Sequence, residues 1–149
     1  MNIVIVGIGL IGGSFAKELR LLRPDSRIYG IDRNPDHLEE ALALRIIDIK
    51  ADYGALAHAD LVVVCVPVDA LVRELPQILD AVPDGCLVID GGSTKELICR
   101  AVGNHPNRRN FLACHPIAGT EFSGPSAAQE GLYRGKTNII CEVEKTAFK

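Results

Sequence analysis

Tryptophan is missing from this chain of 149 residues, and aromatics make up only 5% of it. A core must therefore be built from Val, Ile and Leu, which suits a parallel α/β sheet buried on both faces. Positive charge is not in excess either: the formal net charge is -3, and Lys and Arg form no stripe. That argues against a nucleic-acid partner. No apolar run approaches the length of a membrane span. No secretory leader is expected, because the first strand begins at Asn2. The five cysteines, Cys65, Cys86, Cys99, Cys114 and Cys141, are odd in number and contain no C-x-x-C pair. They read as reduced thiols of a cytoplasmic protein, with no metal site. Cys114 adjoins His115, but neighbours on a strand point to opposite faces, so the two do not read as a nucleophile and its base.

What the chain does have is two glycine-rich motifs about a hundred residues apart. The first is Gly7-Ile8-Gly9-Leu10-Ile11-Gly12. It follows the β-branched run Asn2 to Val6 and precedes apolar residues at helical spacing from Ile11 to Leu22. On such a strand-to-helix turn, Gly7 permits the tight turn, Gly9 lets a pyrophosphate approach the backbone, and Gly12 lets the helix pack on the strand. The helix start then offers N–H groups and partial positive charge to phosphates. About twenty residues on, a second strand ends in Asp32, placed to accept both ribose hydroxyls of an adenosine. A carboxylate there repels a 2′-phosphate, so NAD is favoured over NADP. Arg33, its neighbour, works in the opposite direction.

The rest of the chain continues the alternation. Asn34 reads as an N-cap with Pro35 at the first position of a helix reaching about Leu44. Strands are expected at Ile47 to Lys50, Asp60 to Pro67, Cys86 to Asp90, Phe111 to Ala113 and Thr137 to Cys141. Helices are expected from Asp69 to Asp80, with Pro76 as a kink or restart, and from Glu96 to Val102. Glu144 to Lys149 reads as the start of another helix. This is a single α/β domain over residues 1–149, a doubly wound, mostly parallel sheet of Rossmann type. In such a sheet ligands bind beyond the carboxyl ends of the strands. Four segments arrive there: the glycine turn, Val66-Pro67, Gly91 to Lys95 and His115 to Glu121.

Ser93 has two readings, a helix cap shared with Thr94 or a hydrogen bond to a substrate or nicotinamide. His115 precedes Pro116 and is placed to act on a hydroxyl as its hydride leaves. The other histidines rank lower: His37 on an exposed helix face, His58 in a connecting loop, His105 in a turn.

The second motif, Ser93-Thr94-Lys95 followed by His115-Pro116-Ile117-Ala118-Gly119-Thr120-Glu121-Phe122-Ser123-Gly124, resembles the prephenate dehydrogenase pattern, and the resemblance covers essentially the whole chain. It implies oxidative decarboxylation of prephenate to 4-hydroxyphenylpyruvate in tyrosine biosynthesis, or of arogenate in the related enzymes. It also implies that His115 hydrogen-bonds the ring hydroxyl, that Ser93 lies close to it and to the nicotinamide, and that Thr120 and Glu121 shape and gate the site. Family members carry a further helical domain that makes a homodimer and supplies an arginine for a substrate carboxylate, and nothing follows Lys149 in this sequence. The expectation is a cofactor-binding half that turns over poorly by itself, with Lys95, Arg134 and Lys136 as the local cations. Another hydroxy-acid or imine oxidoreductase would share the first motif but not the second. A module that senses NAD without catalysis is the remaining alternative.

Overall fold

The computed structural model describes residues 1–147. Seven strands form one sheet in the order β3-β2-β1-β4-β5-β6-β7. The strands are β1 (Asn2–Val6), β2 (Arg27–Ile31), β3 (Ile49–Lys50), β4 (Leu61–Val64), β5 (Leu87–Asp90), β6 (Phe111–Pro116) and β7 (Asn138–Cys141). The first six run parallel, and β7 pairs antiparallel with β6. The fold is the expected Rossmann-type sheet.

Alternation along β1 divides the core. Ile3 and Ile5 face helices α1 (Leu10–Leu22) and α2 (Pro35–Ala43), together with Ile28, Ile46 and Ile47. Val4 and Val6 face the other side with Val62, Val64 and Val88, under α3 (Val68–Ala81) and α4 (Glu96–Val102). On α3 the buried residues are Leu71, Leu75, Ile78 and Leu79, a single stripe at helical spacing. Each face is covered, so the strands have little need of polar residues.

Several boundaries differ from the sequence reading. Pro76 does not interrupt α3, which runs through it from Val68 to Ala81. The third strand has only two residues, because Ile46 and Ile47 turn inward; Ile47 fills the space left by Gly30, where a Cβ would meet its side chain at 2.7 Å. Strand β6 does not stop at Ala113. It continues to Pro116, because β7 pairs with it from Ala113 onward, His115 opposite Ile139. Asn34 caps α2 as expected, accepting from Asp36 N–H, with Pro35 next. Near the C-terminus a single 3₁₀ turn, Val143–Lys145, stands where a helix was expected, and Phe148 and Lys149 lie outside the described residues. No helix among the described residues is long and apolar enough to cross a membrane.

After β6 the chain forms a loop over residues 117–123 and then straps across α1. Lys17 Nζ donates to the Ala128 carbonyl at 2.7 Å, Gln129 N–H donates to Ser14 Oγ at 2.9 Å, and Gly131 N–H donates to Glu18. The Tyr133 hydroxyl donates to the Ile11 carbonyl at 2.6 Å, while its ring lies 4.5 Å from that of Phe15.

Two glycines of the first turn are fixed by packing. Gly7 has a φ of +90°, and a Cβ on it would lie 2.5 Å from the Cys65 carbonyl oxygen at the end of β4. A Cβ on Gly12 would lie 2.0 Å from the Gly7 carbonyl. At Gly9 a Cβ would meet nothing within 4 Å. Thermal or urea unfolding should separate these roles. Gly12→Ala is expected to cost at least the ~1–3 kcal/mol of an overpacked core. Gly9→Ala, at a φ of -97° open to any residue, should stay within about 1 kcal/mol of wild type.

Candidate active site

Between β1 and β4 the chain order reverses, since β2 and β3 lie to one side and β4 to β7 to the other. A cleft of about 640 Å³ opens at this switch point, where ligands bind in sheets of this kind. Of the predicted residues, Gly7, Gly9, Asp32, Arg33, Val66 and Pro67 line it. The others of the glycine turn act from behind. Ile8 is fully buried in the core, Leu10 nearly so, and Gly12 seats the helix on the turn. Ile11 packs toward Gly91.

Asp32 is more deeply committed than its place at a strand end indicated. One carboxylate oxygen accepts from Ile8 N–H at 2.8 Å, and the other accepts from Asn34 N–H at 2.8 Å. Its side chain is only 10% exposed. A carboxylate has about four acceptor positions, so two remain for hydroxyls. His37 does not lie on an exposed face. It is half-buried, lines the cleft, and brings Nδ1 to 3.5 Å from Asp32.

The far wall was not foreseen at all. Asp52, Tyr53, Arg73 and Glu74 close the cleft, with the Tyr53 hydroxyl donating to the Glu74 carboxylate. Tyr53 is carried by a 3₁₀ helix, Tyr53–His58, that Asp52 caps through Gly54 N–H. The Asp52-x-Gly54 spacing was the available signal, because an Asx turn of this kind starts such a helix.

Ser93 and His115 lie outside this cleft, at the carboxyl ends of β5 and β6, neighbouring strands of the sheet. Ser93 is exposed and does not cap the helix. The N-cap of α4 is Lys95, which has no side-chain cap bond, and Thr94 does not cap it either. His115 is half-buried, and its Nδ1 is shielded from solvent without a partner among the described residues. Thr120 and Glu121 are exposed on the loop that follows. Thr120 Oγ1 accepts from Phe122 N–H at 3.2 Å, and Glu121 lines a small groove with Phe122, Ser123 and Gln129. Arg134 and Lys136 are exposed.

Lys95, expected as a local cation for a substrate, is engaged within the protein. Its ammonium donates to the Asp90 carboxylate and, at 2.6 Å, to the Cys114 carbonyl, and its side chain is 11% exposed. Asp90 is fully buried at the end of β5. Sequence reasoning passed over it. The signal was an acid closing the apolar strand Leu87-Val88-Ile89, five residues ahead of a lysine. Burial pushes the Asp90 carboxyl above its ordinary range, and Lys95 with the Cys114 and Gly92 N–H groups pulls it only part of the way back. The five thiols are free. Burial raises Cys114 to about 11 and Cys86 to about 12, so neither is a nucleophile at neutral pH. Among the described residues no group of His, Cys, Asp and Glu could hold a metal ion.

The family model for the nucleotide-binding domain of prephenate dehydrogenase matches residues 15–149. The chain belongs to the prephenate dehydrogenase family. Relatives include a prephenate dehydrogenase of Bacillus subtilis, 33% identical across 97% of this chain and 40% of that protein. A cyclohexadienyl dehydrogenase of Zymomonas mobilis is 31% identical over 93% of this chain and 48% of its own length. Among solved structures, prephenate dehydrogenase from Aquifex aeolicus in complex with hydroxyphenyl propionate and NAD+ superposes with a TM-score of 0.82 at 34% identity, covering 98% of this chain and 52% of that one. Synechocystis arogenate dehydrogenase gives 0.84 at 28% identity, covering 94% and 49%. The chain thus spans about half the length, or less, of the proteins it matches.

The raised Asp90 has a consequence of definite sign. The folded chain binds that proton more tightly than the unfolded chain, whose carboxyl titrates near ~3.9. The stabilising contribution is present at acid pH and is lost as pH rises through the raised value. Urea unfolding from about pH 7 down to about pH 4 checks it. The unfolding free energy of wild type relative to Asp90→Asn should climb as pH falls.

Proposed function

We propose that this chain is the cofactor-binding and catalytic half of an NAD-dependent dehydrogenase. It oxidatively decarboxylates prephenate to 4-hydroxyphenylpyruvate in tyrosine biosynthesis, in the cytoplasm. The reading is carried by one observation, the glycine turn left open at Gly9 beside the shielded Asp32 carboxylate, in a chain of this family. These residues fit a dinucleotide. Gly7 and Gly9 with the first turn of α1 would hold its pyrophosphate, Asp32 and Arg33 its ribose, and Val66 and Pro67 would flank it. When bound, NAD supplies the hydride acceptor.

The chemistry left to the protein is largely orientation, because aromatisation of the ring drives loss of carbon dioxide. His115 accepts a hydrogen bond from the ring hydroxyl and draws on its proton as the hydride leaves, and that proton stays with the oxygen, or returns to it, when loss of carbon dioxide gives the phenol. Among the described residues the His115 Nδ1 has no hydrogen-bond partner, so none of them fixes the imidazole in one tautomer through that atom. Ser93, on the neighbouring strand end, addresses the same hydroxyl. Thr120 and Glu121 shape and gate the entrance. Arogenate is the second reading, supported by the similarity to a cyclohexadienyl and an arogenate dehydrogenase. The two substrates differ in the side chain, while His115 and Ser93 address the hydroxyl end they share.

Calorimetric titration should give NAD tighter binding than NADP by about tenfold or more, the equivalent of ~1.4 kcal/mol. Asp32→Ala should erode that preference, and equal affinities in wild type would show that Arg33 dominates. Gly9→Val should abolish NAD binding in a chain that still folds.

Assays with prephenate and with arogenate test the chemistry where turnover is measurable. His115→Asn should lower kcat by about 10²–10⁴-fold, with little change in NAD affinity. A kcat within a few-fold of wild type would move the assignment to Ser93.

A further inference from the structure

We infer that Asp90 and Lys95 are a positioning pair that sets the separation of Ser93 and His115 where the β5–β6 ladder ends. The inference rests on the reading of Ser93 and His115 as the acting groups. Strands β5 and β6 pair at only two positions, Val88 with Phe111 and Ile89 with Leu112. Beyond them no backbone register joins the two strand ends that carry Ser93 and His115.

Side chains take over the joint. Asp90 Oδ1 accepts from Cys114 N–H at 3.0 Å, and Asp90 Oδ2 accepts from Gly92 N–H at 2.9 Å. Lys95 Nζ donates to Asp90 Oδ2 and to the Cys114 carbonyl. Gly92 immediately precedes Ser93, and Cys114 immediately precedes His115. One carboxylate therefore holds the residue before each acting group, one on each oxygen.

The pattern requires this pair of residue types. Cys114 is buried, and both of its backbone groups on the β5 side need partners. A carboxylate alone supplies acceptors at both ends, and an asparagine has only one acceptor oxygen. The ammonium offsets the buried charge and reaches the Cys114 carbonyl, which the carboxylate has no proton to satisfy. Such a pair is not required for stability, since apolar substitutes for buried ion pairs are often neutral or better. What it supplies here is a fixed distance. The groups facing Asp90 are Lys95 at the start of α4 and the thiols of Cys65 and Cys114 on β4's end and β6.

The test is NMR on the whole chain, following backbone amides and the His115 imidazole. Asp90→Asn and Lys95→Met should move the Ser93 and His115 signals together. Lys95→Arg, which keeps the charge, should return them toward wild type. Val62→Ala, a destabilising change in the core under α3, should leave them in place. The inference is overturned if Ser93 and His115 are unmoved in Asp90→Asn and Lys95→Met, or if Val62→Ala moves them equally.

Should those variants fail to fold, an acid titration of wild type decides. The Gly92 and Cys114 amides, on opposite oxygens of one carboxylate, should titrate with a single shared midpoint, and Ser93 with them. Separate midpoints, or no movement, overturn the inference. Failure of wild type to bind NAD would remove the functional reading and leave this result standing.

Discussion

The contact between the first glycine turn and the end of β4 organises the carboxyl edge of the sheet. Gly7 lies against the Cys65 carbonyl so closely that no side chain fits between them. Cys65 N–H in turn donates to the Val6 carbonyl at 2.7 Å, and Gly7 N–H to the Ile31 carbonyl at 2.8 Å. Three strands are thereby brought level at one point. Helix α1 then leaves at an angle fixed by Gly12 on the Gly7 carbonyl, and its first turn faces the opening between β1 and β4. The cleft between β1 and β4 is the space that remains when this contact is made. A methyl group at Gly7 or Gly12 would push apart the elements that line it, whereas one at Gly9 would intrude on the space itself.

A second rule governs the edge further along. Where strands end, their backbone groups lose ladder partners and must find others. At β1 and β2 the Asp32 carboxylate accepts N–H groups from Ile8 and Asn34. At β5 and β6 the Asp90 carboxylate does the same for Gly92 and Cys114. Each acid closes a strand, and each ties its own strand end to a neighbouring one. The difference lies in what remains. Asp32 borders the cleft with acceptor capacity to spare. Asp90 has no exposed surface and is paired with Lys95, so it presents no free acceptor to the surface.

The parts of this arrangement that were legible in the sequence are those set by local pattern. The strand, glycine turn and helix at the N-terminus, the Asn34-Pro35 cap and the alternation of strands with helices follow from period and turn chemistry. The strand lengths did not, because they depend on neighbours: β6 extends to Pro116 only because β7 returns beside it. Lys95 looked like a free cation because its partner is five residues away across a turn, a separation with no helical or strand periodicity. His37 looked exposed because helix phase alone does not reveal that Asp32 stands beneath it. Tyr53 and Glu74 belong to elements on either side of β4, and only the folded sheet brings them together. The family resemblance reached the His115 and Ser93 strand ends directly, but it did not reveal what holds them apart.

The strap across α1 changes the character of the loop before it. Residues 117–123 form an arc of seven residues between two anchors, β6 before it and, after it, residues 128–133 held by Lys17, Ser14, Glu18 and the tilted Phe15–Tyr133 ring pair. Ordering a free segment costs about 1–2 kcal/mol per residue in backbone entropy; a short arc with both ends held has already lost much of that freedom. Its anchor at Ile11 lies in the first turn of α1, directly after the glycine turn. The loop carrying Thr120 and Glu121 is thus hung from α1, the same helix that packs on the glycine turn, as well as from the strand it leaves.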